Sequence, residues 1–347
     1  MRRLALLVPT ALLALLVTAG PALACGGLIG PNGAVNLLRT STFAGYHDGI
    51  EHYVTAFEFA GGGGAFGSIT PLPDIPSNVE KGGDWTLQRL ALETSPREEA
   101  LLALPAASAD RAGAEELMKV RIDALDVTVL RGGAADIGAW AKEHGFRLPP
   151  DAPEVLEFYA ARSPIFLAAA FDADAAADRG QQIGDGTPVH ITIPTDDPWV
   201  PLRILALGKT GGERVEADVY LLTDEAPSLL PAPRAPIGLR LEHSAAATEF
   251  LLADLRSDRG MEWVPDDAWL TKIAVDASAG QLNYDLAIDP TGAGSPSRID
   301  AGFDLPGGAQ FVRSADAGRL LLAVFFSVVG IGGIWLMTRY RREEALR

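Results

Sequence analysis

The sequence predicts an α+β protein: a mainly antiparallel β ectodomain with a few helices, followed by one C-terminal transmembrane helix. Most of the chain consists of short, alternating apolar segments separated by turn residues, which is typical of antiparallel strands. A few stretches instead repeat apolar residues every three or four positions, as amphipathic helices do. Two continuous apolar segments, residues 4–18 and 320–337, lie at opposite ends of the 347-residue chain.

The N-terminal segment, residues 1–24, has the layout of a secretory signal peptide. Two arginines precede the apolar run, and the small residues Ala22 and Ala24 stand at the −3 and −1 positions of a cleavage site before Cys25. The run is short for a membrane span, which needs about 20 apolar residues. We therefore expect ordinary cleavage before Cys25. Lipidation of Cys25, or a disulfide between two chains, stays open as its alternative role.

The C-terminal segment predicts a membrane anchor. It begins at Leu320, ends at Met337 and contains no charged residue. At about 1.5 Å per residue, such a helix nearly spans a bilayer core of about 30 Å. Arginines concentrate after it, so the tail, residues 339–347, is expected to be cytoplasmic. The sequence thus predicts a transmembrane helix at 320–338 behind a Gly-, Pro- and Ser-rich stalk at 291–319.

The extracytoplasmic domain, residues 25–290, is predicted to open with a β-hairpin over residues 37–60. Its turn is Asp48-Gly49, which supplies the positive φ that a type I′ turn requires. A third strand at 65–72 follows the glycine run 61–64. The sequence next predicts a helix capped by Asp84, and a further helical stretch at 98–104.

The middle of the domain combines strands and helices, and the remainder is mostly β. A strand at 127–130 precedes a helix at 134–144, and Asp151 begins the next helix with capping-box spacing to Glu154. The further predicted strands are 165–171, 189–193, 202–207, 215–222, 238–242 and 284–288, with one more helix at 248–256. If the domain has two subdomains, we expect the break near 172–188.

Charge and cysteine content exclude several functions. The chain carries −16 overall, and the signal peptide and the tail contribute +2 each, which leaves −20 on the ectodomain. So acidic a surface repels nucleic acid and favours divalent cations or basic partners. The single cysteine excludes an intrachain disulfide.

The order of several short motifs resembles a known bacterial family. They are Ala24-Cys25-Gly26-Gly27, the Asp48-Gly49 hairpin, the run FGSITPLPDIP at 66–76, WTLQRL at 85–90 and WAKEHGF at 140–146. Together they are similar to the domain of unknown function 2330 family from about Cys25 to near Leu207. The resemblance implies an exported, often membrane-anchored bacterial protein without established activity, and offers no catalytic residue to transfer. Many members have a second cysteine where this chain has Ile29-Gly30-Pro31.

Two constellations are candidate metal sites. His47 and His52 lie on the same face of the predicted hairpin and Glu51 on the other, so they supply two of the three or four ligands that zinc needs. Solvated hairpin histidines are the favoured interpretation, with zinc as the alternative.

The second constellation is an acidic loop that contains Asp172, Asp174, Asp178 and Asp185, where calcium is the alternative to a solvated loop. Residues at two ligand positions of an EF-hand register are apolar here, namely Ala176 and Ile183.

No nucleophile elbow, phosphate-binding glycine loop or nucleotide fingerprint is present, so no catalytic residue is assigned. We therefore expect a single-pass protein of the bacterial cell membrane, whose N-terminal domain is a non-enzymatic binding or envelope-assembly module. Its expected partners are the membrane and an envelope protein, without nucleic acid or a resident cofactor. The alternative is an extracytoplasmic hydrolase, assisted by a metal ion.

Overall fold

The computed structural model describes residues 27–30, 33–34, 40–57, 66–95, 115–172, 187–306 and 308. The predicted signal peptide, Cys25, the helical stretch 98–104 and the segment 320–337 lie outside these residues. Among the helices that the structure describes, none is long and apolar enough to cross a membrane.

The described strands are numbered in chain order. They are β1 (Gly27–Gly30), β2 (Gly33–Ala34), β3 (Thr40–His47), β4 (Ile50–Phe57), β5 (Phe66–Leu72), β6 (Asn78–Lys81), β7 (Glu115–Ile122), β8 (Leu125–Arg131), β9 (Ile165–Phe171), β10 (Thr187–Pro194), β11 (Trp199–Val200), β12 (Arg214–Thr223), β13 (Ser228–Leu230), β14 (Leu239–Ala246), β15 (Trp269–Ser278) and β16 (Leu286–Asp289). The helices are α1 (Thr86–Thr94), α2 (Ala134–Glu143), α3 (Ala152–Ala160) and α4 (Glu249–Arg256).

These strands form three sheets. A six-stranded antiparallel sheet has the order β2-β1-β5-β9-β8-β7, and a seven-stranded sheet has the order β14-β15-β12-β3-β4-β10-β6. A small third sheet has the order β11-β16-β13. In the seven-stranded sheet only β3 and β12 run parallel. Strands from both sides of residues 172–188 share this sheet, since β4 pairs with β10.

The two large sheets pack face to face. Tyr53 and Ile191, cross-strand partners on the seven-stranded sheet, share one hydrophobic core with Val127 and Leu167 of the six-stranded sheet. On the far side of the six-stranded sheet lie α2 and α3, where the Phe146 ring fills the space that a side chain at Gly67 would need. On the far side of the seven-stranded sheet, α1 and α4 pack in a second core that contains Phe43, Val54, Leu90 and Leu252.

Much of the predicted order is confirmed. The hairpin is β3–β4, and Asp48 and Gly49 have φ of 51° and 77°. The predicted strands at 65–72, 127–130, 165–171, 189–193, 215–222, 238–242 and 284–288 correspond to β5, β8, β9, β10, β12, β14 and β16, and the predicted helices at 134–144 and 248–256 to α2 and α4. Seven of the described strands are found where no strand was predicted: β1, β2, β6, β7, β11, β13 and β15.

Two predictions in the second half of the domain are wrong. Residues 202–207 are not a strand but contain a 3-10 helix, Arg203–Ala206, because the backbone N–H groups of Leu202 and Arg203 both donate to the carboxylate of Asp285. The stalk does not begin at 291, since Ala301 and Phe303 are buried in the main core.

A buried ion pair holds these parts together. Arg162, two residues beyond α3, donates to the carboxylate of Asp285, and both side chains are almost fully buried. The Arg162 guanidinium lies 4.0 Å from the centre of the Trp199 ring and also donates to the carbonyl oxygens of Ile299 and Asp300. This single cation therefore joins α3, β11 and the C-terminal segment.

Asp285 satisfies its remaining lone pairs through further donors. The Tyr159 hydroxyl donates to it at 3.0 Å and accepts from the Ile204 N–H at 2.8 Å. Burial holds the pKa of Tyr159 well above its ordinary value, which keeps this donor protonated. A buried charge with such a complete set of partners avoids most of the cost of leaving water.

We expect Arg162→Met to lower the free energy of unfolding by about 3–5 kcal/mol, because it leaves Asp285 buried without a counter-charge. The matched control is Arg214→Met, which removes a bidentate-capable arginine from Asp276 at a site whose side chain is 63% exposed. There the loss should be much smaller, because water screens an exposed ion pair. Urea unfolding of the full-length protein measures both, and equal losses would contradict the role of the buried pair.

Candidate functional site

One face of the seven-stranded sheet is covered by a layer of helices. Beneath this layer His52, a site residue predicted from the sequence, lies in a buried cluster of titratable side chains. We define the helical layer as α1, α4 and the loop 257–268. Its apolar residues, among them Leu90, Leu251, Leu255 and Met261, pack on Phe43, Val54 and Tyr220 of the sheet.

Asp258, immediately beyond α4, organises this layer. Its carboxylate accepts hydrogen bonds from the backbone N–H groups of Asp84, Trp85 and Thr86 at 2.8–3.1 Å, and from the Thr86 hydroxyl at 2.7 Å. With the Arg259 N–H at 3.0 Å, five protein donors therefore converge on a buried carboxylate at the positive end of the α1 dipole. A side chain at Gly83 would collide with this carboxylate.

The prediction that Asp84 caps α1 is therefore wrong. Trp85 is the N-cap residue and forms no side-chain cap, and Asp258 supplies the acceptor from a position distant in sequence. Likewise Asp151 precedes α3 as predicted but makes no capping hydrogen bond; its carboxylate accepts from the Gly208 N–H at 2.9 Å. In both cases a hydrogen bond between residues distant in sequence forms in place of the predicted local cap.

Beneath the helical layer, two histidines meet on neighbouring strands. His52 of β4 and His190 of β10 are diagonal neighbours on one face of the sheet, because Val54 lies opposite His190 and Thr192 lies opposite His52. Nδ1 of His52 lies 3.0 Å from Nε2 of His190. Both residues are buried.

The indole of Trp263 completes this cluster. Its ring stacks on the His52 imidazole with centroids 3.8 Å apart and planes 5° from parallel. The indole occupies the space beside Gly45, the cross-strand partner of His52, where any side chain would lie within 2.2 Å of it. Gly45 is thus required by the close approach of Trp263.

A carboxylate faces the other nitrogen of His190. Oε1 of Glu80 lies 3.5 Å from Nδ1 of His190, so Glu80, His190 and His52 form a line from the protein surface inward. The carboxylate favours a proton on Nδ1 of His190, which leaves its Nε2 to accept a hydrogen bond from Nδ1 of His52. Nε2 of His52 then carries a lone pair, and no residue of the described part of the chain donates to it.

Burial keeps this pair uncharged. Burial lowers the pKa of His52 to about 3, with smaller contributions from His190 and His47. The pKa of His190 is also lowered by burial, although Glu80 and Glu262 oppose this. At neutral pH the cluster is therefore two neutral imidazoles that share one hydrogen bond.

The other sequence-predicted candidates lie apart from this cluster or outside the description. His47 does share a face with His52, but its Nδ1 pairs with Asp224 at 2.7 Å. Glu51 points to the opposite face, where burial raises its pKa to about 8. Asp172 follows β9, while Asp174, Asp178 and Asp185 lie outside the described residues. No group of three or more His, Cys, Asp or Glu side chains that could hold a metal ion occurs within the described ranges.

Four residues of the site were not found from the sequence: Glu80, His190, Asp258 and Trp263. The alternation of β10 places His190 on one strand face, a signal that the sequence does carry. Nothing local indicates which strand lies beside it, or that the 257–268 loop folds over the pair.

The model of a protein family described as "Uncharacterized protein conserved in bacteria (DUF2330)" matches residues 19–226. The chain belongs to this family. The DUF2330 match contains His52, Glu80 and His190 but ends before Asp258 and Trp263, so it includes the sheet part of the cluster and not the loop that covers it.

Solved structures show only weak likeness to this DUF2330 protein. A mutated baculovirus P35 after caspase cleavage is 9% identical, with 72% of this chain and 99% of that chain covered and a TM-score of 0.39. Baculovirus P35 itself is 8% identical, with 72% and 96% covered and a TM-score of 0.35. No curated protein matches this chain.

We expect Asp258→Asn to lower the free energy of unfolding by about 2–4 kcal/mol, because the amide turns one acceptor into a donor that faces the N–H groups of α1. Asp84→Asn is the matched control and should change stability by about 0.5 kcal/mol or less. Chemical denaturation of both variants tests this. A larger loss of unfolding free energy in Asp84→Asn than in Asp258→Asn would show that Asp84 caps α1 after all.

We also expect acid to weaken the fold through His52. The unfolded chain binds a proton at this histidine below its ordinary pKa near 6.5, whereas the folded chain does so only near pH 3. Between these values the unfolded state holds more protons, so stability falls as pH falls, by up to about 1.4 kcal/mol per pH unit.

The check is denaturation between pH 7 and pH 4. His52→Gln should show a shallower decline than the wild type, while His243→Gln, a change at a half-buried histidine of β14, should not. Parallel curves for wild type and His52→Gln would refute the assignment of a neutral His52.

Proposed function

We propose that this protein is an extracytoplasmic binding module, anchored in the bacterial cell membrane, that docks a basic protein partner on the outer face of its helical layer. The observation on which this depends is a pair of exposed apolar side chains, Leu92 and Phe250, on an acidic surface. Phe250 is 83% exposed and Leu92 is 58% exposed.

The register of the two helices places this pair together. Asp258 bonds the first residues of α1, and Arg89 Nε donates to Asp254 at 2.8 Å, so α1 and α4 run antiparallel. One turn further along α1 and one turn back along α4 lie Leu92 and Phe250. Both therefore occupy the same end of the helix pair and face outward, a position typical of residues that a partner covers.

The charges around the pair favour a basic partner. Glu93 and Asp254 each bind Arg89, and Glu249 next to Phe250 is exposed. Since the ectodomain carries −20, a second copy of this chain or an anionic lipid surface would be repelled. An apolar pocket rimmed by Lys and Arg on another protein is the complementary surface.

The cellular location that the sequence predicts supports this proposal. The signal peptide at 1–24 and the anchor at 320–338 would present the domain outside the cell membrane. At full extension, the segment between residues 308 and 320 spans about 40 Å at most. The domain is then held within reach of neighbouring envelope proteins.

The test is a photocrosslinking amino acid placed at position 250, and separately at 92, in the full chain in native membranes. Both positions should crosslink to the same protein, one with a basic surface. That protein, once purified, should bind the wild type with an affinity that falls with salt and at least tenfold with Phe250→Glu. The substitution is tolerated because the site is exposed.

The matched control is Ile299, an apolar residue 54% exposed on the opposite end of the chain from α1. A crosslinker at 299 should not capture this partner, and Ile299→Glu should leave its affinity unchanged. Equal capture from position 299, or equal binding by Phe250→Glu, would overturn the proposed docking face.

A hydrolase is the second candidate, favoured by the two buried imidazoles in line with Glu80. Its weakness is electrostatic. A histidine whose pKa is lowered to about 3 is a poor general base at neutral pH, because catalysis is most efficient when the pKa lies near the working pH.

A further inference from the structure

The geometry of the His52–His190 pair suits two histidine ligands of one metal ion as well as it suits a hydrogen bond. Two imidazole nitrogens converge at 3.0 Å from adjacent strands of a rigid sheet, and both rings are held by packing. Neighbouring strands fix the two backbone positions, so the ligands are pre-organised without any loop.

We propose that this pair binds a cuprous ion, with Nδ1 of His52 and Nε2 of His190 as its two nitrogen ligands. Imidazole is a good ligand for copper, and Cu(I) is stable with two ligands in a linear arrangement. Zinc is disfavoured here because it takes three or four protein ligands, and the described residues contain no such group.

Glu80 occupies the position of an outer-shell carboxylate. A metal-bound histidine usually donates its other ring N–H to a carboxylate or carbonyl, which orients the ring and strengthens it as a ligand. Oε1 of Glu80 lies 3.5 Å from Nδ1 of His190, the nitrogen that does not face His52. This contact is independent of the approach of the two histidines to each other.

The loop that covers the pair supplies soft, polarisable groups. Trp263 stacks on His52, and an indole face is the best aromatic partner for a cation. Met261 is buried in the same cluster as Val54, the residue directly opposite His190. Two imidazoles covered by an indole and an apolar loop favour a soft monovalent ion over a hard divalent one.

Binding requires a small rearrangement and no redox step. The two nitrogens must move apart from 3.0 Å to about 4 Å, since each metal–nitrogen bond is roughly 2 Å. The proton that lies between them moves from Nδ1 to Nε2 of His52, so both rings stay neutral. In this tautomer change the Nδ1–H bond of His52 breaks and an Nε2–H bond forms, while copper enters and remains as Cu(I).

The experiment uses the full-length chain with Cys25→Ser, because a thiol would itself bind soft metals. Silver(I) serves as the redox-stable probe, and Cu(I) is then supplied under reductant against a chromophoric Cu(I) chelator. We expect one equivalent of each to bind and to raise the melting temperature. His52→Gln and His190→Gln should each weaken binding at least tenfold, while His47→Gln and His243→Gln should not.

If the histidine variants fail to fold, a measurement on the chain with all its histidines intact still tests the proposal. The chain has five histidines, and ¹⁵N-labelled imidazoles bound to silver show one-bond ¹⁵N–Ag coupling. The proposal requires coupling to one Nδ1 and one Nε2 of two different histidines. Coupling to a single histidine, to two nitrogens of the same type, or no one-equivalent binding would overturn it, as would zinc binding that outcompetes silver at the same residues.

Discussion

The described fold depends on placing a charged arginine inside the protein. The Arg162 guanidinium lies against Trp199 and next to Asp285, and the carboxylate of Asp285 in turn receives N–H and O–H donors from two other segments. An unpaired buried charge costs several kcal/mol, so α3, the 3-10 helix at Arg203–Ala206 and the C-terminal segment must all be in place together. The same constraint explains why residues as late as Phe303 belong to the core.

Asp258 applies the same principle on the other side of the molecule. There a carboxylate gathers the N–H groups at the start of α1 and joins them to the end of α4. The antiparallel register that brings Leu92 level with Phe250 follows from this contact and from Arg89–Asp254. The proposed docking face is therefore a consequence of how one buried carboxylate is satisfied.

The histidine cluster differs because its polar atoms are only partly satisfied. His52 and His190 share one hydrogen bond, and among the described residues no donor reaches Nε2 of His52. Glu51, on the reverse face of the same strand, is likewise fully buried, and burial raises its pKa to about 8. Buried titratable groups with shifted pKa values and unfilled hydrogen-bond positions are candidates for a functional role.

Local chemistry was sufficient for some elements and insufficient for others. Asp48-Gly49 predicts its hairpin because a type I′ turn depends on only two residues, and Gly145 ends α2 with φ of 76° for the same local reason. Residues 202–207 are mostly apolar and predict a strand, but the donors that Asp285 requires fold Arg203–Ala206 into a 3-10 helix. Asp84 and Asp151 stand at sequence positions typical of helix caps. Asp258 instead accepts from the N–H groups of α1, and the Asp151 carboxylate accepts from Gly208 and not from α3.

By itself, the sequence determined the family, the α+β class, the order of most strands and helices, and the acidic charge, since these depend on composition and on contacts between near neighbours. It placed His47 and His52 on one face of a hairpin, because strand alternation is a local property. Only the tertiary structure decided that His52 meets His190, that Trp263 covers them and that Asp258 caps α1. Those contacts join residues more than a hundred positions apart, and burial of their polar groups, which no local pattern encodes, selects the partners.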